Sequence, residues 1–444
     1  MKNMKKRKAK NIMNKIKLGI IGYGNVGSGV IKFINKKRSY IKKKFLSEFD
    51  VKAICDLAFQ KTKPKELEKI RLTTNYKDIL NDPEVEVVVE LIGGLHPAKE
   101  IITGALDKNK HVVTANKGVI AQYGKELFEK ARQKNKNIYF ESSVMAGVPI
   151  IKTISEGLAG NQFKEIYGII NGTCNYILSV MAKRNHSFSE AVKEAQMKGF
   201  AETDPTLDIN GMDCAYKLAI LVSLCMGKFI TAKDIYREGI TEISHGDIKY
   251  AQELGLTIKL LAIAKKVDNV IEARVHPTLI SEEHPLASIN GINNAIYMNI
   301  DPLGDVLLSG EGAGQMAAAS GVISDLINVA SKGSESHFQA LGNLTQESDS
   351  AVLKKIDEIS TRFYIRFLAS DKPGILSKIS GILGDHEIGI NSVSQKVHDK
   401  AVSVPVIMLT DYAPENMVRD ALQKIYKEQI VKSKPVAIRM ENLP

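Results

Sequence analysis

The stretch Lys15-Ile-Lys-Leu-Gly-Ile-Ile-Gly22-Tyr-Gly24-Asn-Val-Gly27-Ser-Gly-Val-Ile-Lys-Phe-Ile34 decides the fold. Residues 15–21 read as a strand and residues 28–37 as a helix, with Gly22, Gly24 and Gly27 forming G-x-G-x-x-G between them. Gly22 allows the tight turn. Gly24 lets a pyrophosphate approach the backbone, and Gly27 lets helix and strand pack closely. The helix N-terminus then offers amide donors and the positive end of a dipole to an anion.

Working outward, Phe-Asp-Val-Lys-Ala-Ile-Cys-Asp56 reads as a second strand ending in an acid, where the adenosine ribose hydroxyls are expected to bind. An acid there repels a 2′-phosphate and favours NAD, whereas Lys61 and Lys63 follow closely and could pair with that phosphate. NAD and NADP therefore both stay open. Strands at 85–94, 110–118 and 136–144 alternate with helices at 96–109 and 119–135, which predicts a Rossmann-type doubly wound parallel sheet. Ligands bind beyond the carboxyl ends of such strands, where Gly93-Gly94, Thr114-Ala-Asn-Lys117 and Glu141 to Pro149 fall. Lys117 stands at a strand end over the cofactor crevice.

Composition narrows the class. The 444 residues suffice for two or three domains, and 44% hydrophobic with 25% charged is ordinary for a globular chain. No apolar run is long enough to span a membrane, and no secretory signal is visible at the N-terminus. Cys55, Cys174, Cys214 and Cys225 are scattered without C-x-x-C spacing, which points to a reducing cytoplasm rather than a disulfide or zinc framework. Much of the net charge of +11 sits in the first 17 residues, which carry eight Lys or Arg and no acid. Residues 1–14 are expected to be a disordered basic tail, and the remaining lysines lack interleaved aromatics. Neither a nucleic acid nor a membrane is an expected partner.

From residue 148 the pattern loosens into an α+β region extending to about 304. Its chemical centre is Ala195-x-x-x-Gly199-Phe-Ala-Glu202-Thr-Asp204-Pro205-Thr-Leu-Asp208-Ile-Asn-Gly211-Met-Asp213-x-x-x-Lys217. Pro205 and Gly211 mark a loop, and residues 212–227 read as a helix. Asp213 and Lys217, four apart, share one helix face. On a solvated surface they would be a weak ion pair. Leu218, Ile220, Leu221 and Leu224 make this helix apolar nearly all round, so the pair is expected to face a cavity instead. A sheltered lysine of this kind can exchange a proton with a carbonyl or hydroxyl oxygen.

This run resembles the signature of homoserine dehydrogenases. Gly-Tyr-Gly-Asn-Val-Gly, Glu-Leu-Ile-Gly-Gly, Val-Val-Thr-Ala-Asn-Lys-Gly, Glu-Ser-Ser-Val-Met-Ala-Gly-Val-Pro-Ile, Gly-Ile-Ile-Asn-Gly-Thr-Cys-Asn-Tyr-Ile-Leu and Gly-Glu-Gly-Ala-Gly follow in that family's order across residues 16–330. The resemblance implies reversible reduction of L-aspartate 4-semialdehyde to L-homoserine by a nicotinamide cofactor. It makes Lys217 the acid/base group, Asp213 its orienting partner, and Glu202 and Asp208 ligands of the substrate ammonium. Lys117 would hold the substrate carboxylate or share the proton transfer. Asn25, Val26, Ile92, Gly93, Thr114 and Gly314 map onto cofactor contacts, and a segment near 305–330 closes the nucleotide domain. A monovalent cation, sodium, would sit on Glu141 and the carbonyls of Val144, Ala146 and Val148. Cys55 stands where many bacterial members have arginine, which bears against strict NADP preference.

Residues 331–358 read as a polar linker. Residues 359–444 then follow the order βαββαβ of a ferredoxin-like sandwich. Asp-Lys-Pro-Gly-Ile-Leu at 371–376 and Gly389-Ile-Asn391 resemble the ACT domain, an amino-acid-binding module. The resemblance places an effector at Asp371, Gly374 and Asn391, with threonine as the expected end product and a homodimer or homotetramer as the assembly. Two alternatives stand beside regulation by the module: that it only dimerises the chain, or that the whole protein is a catalytically silent nucleotide-bound sensor. A different dehydrogenase for a small amino or hydroxy acid is the third reading.

Overall fold

The computed structural model describes residues 13–331, 351–370, 372–395 and 403–444. Most of the basic tail, most of the expected linker and Asp371 lie outside them. The chain divides into two compact units, Met1–Ala159 with Ala313–Gln346, and Gly160–Gly312 with Glu347–Pro444.

In the first unit the strands β1 (Asn14–Ile21), β2 (Ser47–Cys55), β3 (Arg71–Thr73), β4 (Val87–Glu90), β5 (His111–Thr114) and β6 (Ile138–Tyr139) are all parallel, in the order β3-β2-β1-β4-β5-β6. The expected doubly wound sheet is present. Val87, Val88 and Val89 are fully buried, as a parallel strand covered on both faces requires. The order reverses between β1 and β4, which places the ligand crevice beyond their carboxyl ends. The helix Gln315–Ser331 returns to this unit. Its Ala319, Val322 and Leu326 pack with Leu18, Ile20, Val30 and Val113. The expected strand at 136–144 is only two residues long, because Ser143 N–H turns back to Phe140 O and Glu141 N–H donates to Asp325.

The second unit holds a sheet of twelve strands among the described residues. They are β7 (Gln162–Ile169), β8 (Tyr236–Arg237), β9 (Leu256–Val267), β10 (Val270–Ser281), β11 (Asn293–Asp301), β12 (Gly304–Glu311), β13 (Val352–Leu353), β14 (Ser360–Ser370), β15 (Ile390–Gln395), β16 (Ser403–Thr410), β17 (Ala413–Pro414) and β18 (Val436–Met440). The main path runs β12-β11-β7-β9-β10-β18-β14-β16-β15. Its C-terminal part, β18-β14-β16-β15, carries the helices Ile375–Asp385 and Glu415–Lys427 over a core of Phe363, Phe367, Leu383, Met408 and Ile425. That is the expected ferredoxin-like sandwich, and it is continuous with the sheet before it. One edge of β10 is covered in series by three short parallel strands: β13 at Val270–Ile271, β8 at Arg274–Val275 and β18 at Thr278–Leu279. The described end of the expected linker is thus built into the sheet.

Candidate active site

The glycine loop behaves as its three glycines require. Gly22 has φ +103°, and a Cβ there would lie 2.7 Å from the carbonyl of Leu91. A Cβ on Gly27 would lie 2.1 Å from Gly22 O, so helix and strand touch backbone to backbone. Gly24 has open space around its missing Cβ. The helix Asn25–Phe45 has no acid in its first turn and no side-chain cap on Gly24. Asn25 and Val26 therefore present their amides and the positive dipole end at an open position, which fits a pyrophosphate. Asp56 accepts the Tyr23 N–H at 2.6 Å and the Ala58 N–H at 2.8 Å, tying the glycine loop to the end of β2. Gly314, at φ +114°, precedes Gln315, whose Nε2 donates to Ser28 Oγ at 2.9 Å beside the loop.

A second network fixes the ends of β4 and β5. Glu90 is fully buried and accepts the Ile92 N–H at 2.9 Å and the Thr114 hydroxyl at 2.6 Å. Burial pushes its carboxyl up, and the Thr114 hydroxyl and Ile92 amide oppose that. Thr114 Oγ1 also accepts the Asn116 N–H, and Asn116 Nδ2 donates to Gly94 O at 2.7 Å. Ile92 stays exposed and Gly93 is at φ +72° with nothing beside it, so this rigid corner presents an apolar side chain and bare backbone. Thr114 is consumed by the network rather than exposed. Lys117 is not at the end of a strand as expected but is the first residue of the helix Lys117–Gln133, capped by Asn116. A cation at the positive end of a helix dipole is unfavourable for stability, which favours a role in binding.

Beyond β6, Met145 and Ala146 both have positive φ, at +55° and +38°, and are buried together with Val144 and Val148 on either side of the exposed Gly147. Strain of this sort in two consecutive non-glycine residues persists only when the surroundings enforce it. Glu141 accepts the Ile151 and Lys152 amides, each at 2.9 Å, and burial pushes its carboxyl up to about 7. Asp325, also buried and pushed up by burial, accepts the Glu141 N–H, and Lys152 Nζ lies 4.0 Å away. Glu141, close in sequence to the strained and buried Met145 and Ala146, is thus joined by a second sheltered carboxyl, Asp325.

The second unit assembles the proton-transfer candidates. Lys217 and Asp213 are both buried in the helix Met212–Met226, as expected. Lys217 Nζ donates to Asp213 Oδ2 and to Ile170 O, both at 2.7 Å. Asn171, to which sequence reading gave no role, joins the set. It caps the helix Gly172–Arg184 through its Oδ1, while Nδ2 donates to Asp208 Oδ1 at 2.7 Å and Asp213 Oδ2 at 2.8 Å. Its only trace in the sequence was the Ile-Ile-Asn-Gly-Thr motif, in which an Asn precedes a helix. Asp208 is half-buried at the short helix Thr206–Ile209, whereas Glu202 and Asp204 lie exposed on the preceding loop. Sheltered ammonium, carboxylates and a carbonyl thus converge on one spot.

One turn along the same helix, Asn175 Nδ2 donates to Ile289 O and Asn293 O. Buried Lys259 Nζ donates to Ile289 O at 2.5 Å and Asn290 Oδ1 at 3.2 Å. Burial, with Lys183 adding repulsion, pushes Lys259 down to about 8 from 10.5. Across that window the unfolded chain keeps the proton that the native state gives up, so stability rises with pH. We expect the unfolding free energy of the wild type to rise relative to Lys259→Met from pH 8 toward 10, by at most about 1.4 kcal/mol per pH unit, as denaturant melts at each pH would read. A flat difference would show that the carbonyl cage keeps the ammonium charged.

In the C-terminal module Gly374 is at φ +85° and opens the helix Ile375–Asp385 without a side-chain cap. Asn391 is exposed at a register shift of β15 against β16. Among the described residues no helix is long and apolar enough to cross a membrane, and no cluster of three or more His, Cys, Asp or Glu could hold a metal.

A dinucleotide fold, a buried lysine–carboxylate pair and a ferredoxin-like module define a nucleotide-dependent oxidoreductase with an ACT domain. Family models describe residues 149–327 as homoserine dehydrogenase, residues 22–141 as the homoserine dehydrogenase NAD-binding domain, and residues 363–425 as an ACT domain. The chain belongs to the homoserine dehydrogenase family. It is 39% identical to a homoserine dehydrogenase of Synechocystis sp., covering 96% of this chain and 99% of that one. It is 36% identical to that of Neisseria gonorrhoeae, covering 97% and 100%. A crystal structure of a homoserine dehydrogenase from Thiobacillus denitrificans superposes with TM-score 0.90 at 39% identity, covering 97% and 99%. A hyperthermophilic archaeal homoserine dehydrogenase in complex with NADPH matches with TM-score 0.60 at 28% identity, covering 71% of this chain and 97% of that one. The cofactor is a nicotinamide nucleotide, and the reading as a catalytically silent sensor is set aside.

Proposed function

We propose that the protein interconverts L-homoserine and L-aspartate 4-semialdehyde with NAD or NADP, in the biosynthesis of threonine, methionine and isoleucine in the cytoplasm. The observation that carries this is the buried Lys217 ammonium, fixed between Asp213 and Ile170 O. When bound, the nicotinamide supplies the hydride acceptor or donor. Oxidation of the alcohol also removes a proton from oxygen, and reduction returns one. In the reduction direction the ammonium has three hydrogens, of which Asp213 and Ile170 take two and the third passes to the substrate oxygen; in oxidation the neutral amine, held by the same two partners, accepts the hydroxyl proton. Asp213 keeps the amine in place, and Asn171 holds Asp213 and Asp208 at one spacing. Asp208, with Glu202 from the exposed loop, meets the substrate ammonium. Lys117 is the group for the substrate carboxylate or a shared proton.

Gly22, Gly24, Asn25, Val26 and Gly27 receive the pyrophosphate, Asp56 the ribose, and Ile92, Gly93 and Gly314 line the rest of the cofactor, with buried Thr114 acting from behind by holding Glu90. Glu141 and the carbonyls of Val144, Ala146 and Val148 would hold a monovalent cation such as sodium, which fixes the loop electrostatically. The ACT domain binds an amino acid, threonine being the end product of this chemistry, at Gly374 and Asn391 with Asp371, in a homodimer or homotetramer. The competing reading, a module that only dimerises the chain, rests on the exposed edge strand β15. The test is spectrophotometric: homoserine with each cofactor should generate reduced nucleotide, and threonine should alter the rate. Absence of turnover with both cofactors would overturn the assignment, and indifference to every aspartate-derived amino acid would leave dimerisation.

A further inference from the structure

The acidic loop is gripped from behind by residues that the proposed chemistry does not use. Directly after β8 come Glu238, Gly239 and Ile240. Ile240 N–H donates to Ile209 O at 2.9 Å. A Cβ on Gly239 would lie 2.0 Å from Ile209 O and 2.7 Å from Asn210 Cα, so the two segments meet backbone to backbone with no side chain to yield. Gly211, at φ +81°, opens the helix that carries Asp213 and Lys217, and a Cβ on it would lie 3.3 Å from Glu238 O. Displacing residues 238–240 therefore displaces residues 209–211, which lie between Asp208 and Asp213.

Glu238 is in turn held by the C-terminal module. Arg439 of β18 is buried and donates Nη1 to Glu238 Oε2 at 2.8 Å and Nη2 to Glu238 Oε1 at 2.9 Å. The same guanidinium donates Nε to Glu415 Oε2 at 2.8 Å and Nη2 to Glu415 Oε1 at 2.5 Å. Its carbon lies 5.2 Å from the Tyr236 ring centre. Burial pushes the Glu238 carboxyl up, and Arg439 overcomes this and holds it below its ordinary range. Glu415 is the first residue of the helix Glu415–Lys427. One planar fork thus joins a helix of the ACT domain to the support of the acidic loop, with Nη1 on Glu238, Nε on Glu415 and Nη2 shared between them.

We infer that Glu238 and Arg439 are positioning residues for the loop bearing Asp208, and that through them the ACT domain sets the affinity for the ammonium-bearing substrate. The inference rests on the proposed role of Asp208. Steady-state kinetics on the full chain test it with Glu238→Gln, Arg439→Met and Arg439→Lys. The first two should raise KM for homoserine roughly 3- to 30-fold, with the KM for the nucleotide and kcat little changed. Arg439→Lys should recover only part of the loss, because a point charge cannot serve two carboxylates as a fork does. The double variant should be no worse than Arg439→Met alone, since the contact that Glu238→Gln weakens is already gone there. An unchanged homoserine KM in folded Glu238→Gln would overturn the inference, as would a uniform loss of kcat and both affinities. If Arg439→Met does not fold, the half-buried Glu238→Gln decides alone. A wild type that does not oxidise homoserine instead overturns the proposed function.

Discussion

Lys217→Met is expected to lower homoserine turnover by about 10²- to 10⁴-fold, the range a positioned general acid or base contributes. The substitution keeps the length and apolar stem of the side chain but removes the ammonium that bonds Asp213 Oδ2 and Ile170 O. Asp213, 3% exposed, then keeps a carboxylate in a site that has lost its cation. Removing one partner of a buried pair typically costs about 3–5 kcal/mol, so the melting temperature should fall as well. Nucleotide binding separates the two effects. Titration of the variant with reduced cofactor should still report binding, because the glycine loop belongs to the other unit. Turnover near the wild-type rate in a folded Lys217→Met would remove the residue from the chemistry.

Asn171→Ala should reduce turnover by about 10²-fold, the loss that a misplacement of about 1 Å brings. The wild-type amide is fixed without ambiguity: Oδ1 accepts the Cys174 N–H, and both Nδ2 hydrogens go to carboxylates, Asp208 and Asp213. Alanine removes the cap of the helix Gly172–Arg184 and the shared donor together. Losing such a cap costs about 1 kcal/mol. Asp208 and Asp213 then lose the amide that both share, so both homoserine KM and kcat should worsen. Asn171→Ser restores a cap but not the second donor; it should recover stability without recovering rate. Equal recovery of both would show that the residue acts only as a cap.

Much of this was legible in the sequence because the signals were local. The glycine spacing, the alternation of strand and helix, and the i,i+4 relation of Asp213 and Lys217 each lie within a short stretch. The order βαββαβ is likewise a matter of neighbouring segments. What could not be read is what tertiary packing brings together. Asn171 meets Asp208 and Asp213 across about forty residues, and Arg439 meets Glu238 across 201. Glu90 looked like one more residue of an apolar strand, yet it is the buried hub of the corner at Ile92 and Thr114. Lys117 was placed at the end of a strand because Asn116 supplies a helix cap two residues earlier than the apolar periodicity suggested.

The edge of β10 has a consequence for the birth of the protein. Arg274 and Val275 pair with β8, which is already made, but Thr278 and Leu279 wait for β18, which leaves the ribosome long after β10 itself is complete. Until then the nascent chain carries a strand margin open at that end, the kind of surface on which one molecule templates another. The final residues thus act as a seal on the sheet. Shearing them off would yield a polypeptide prone to clump rather than a smaller enzyme freed from control.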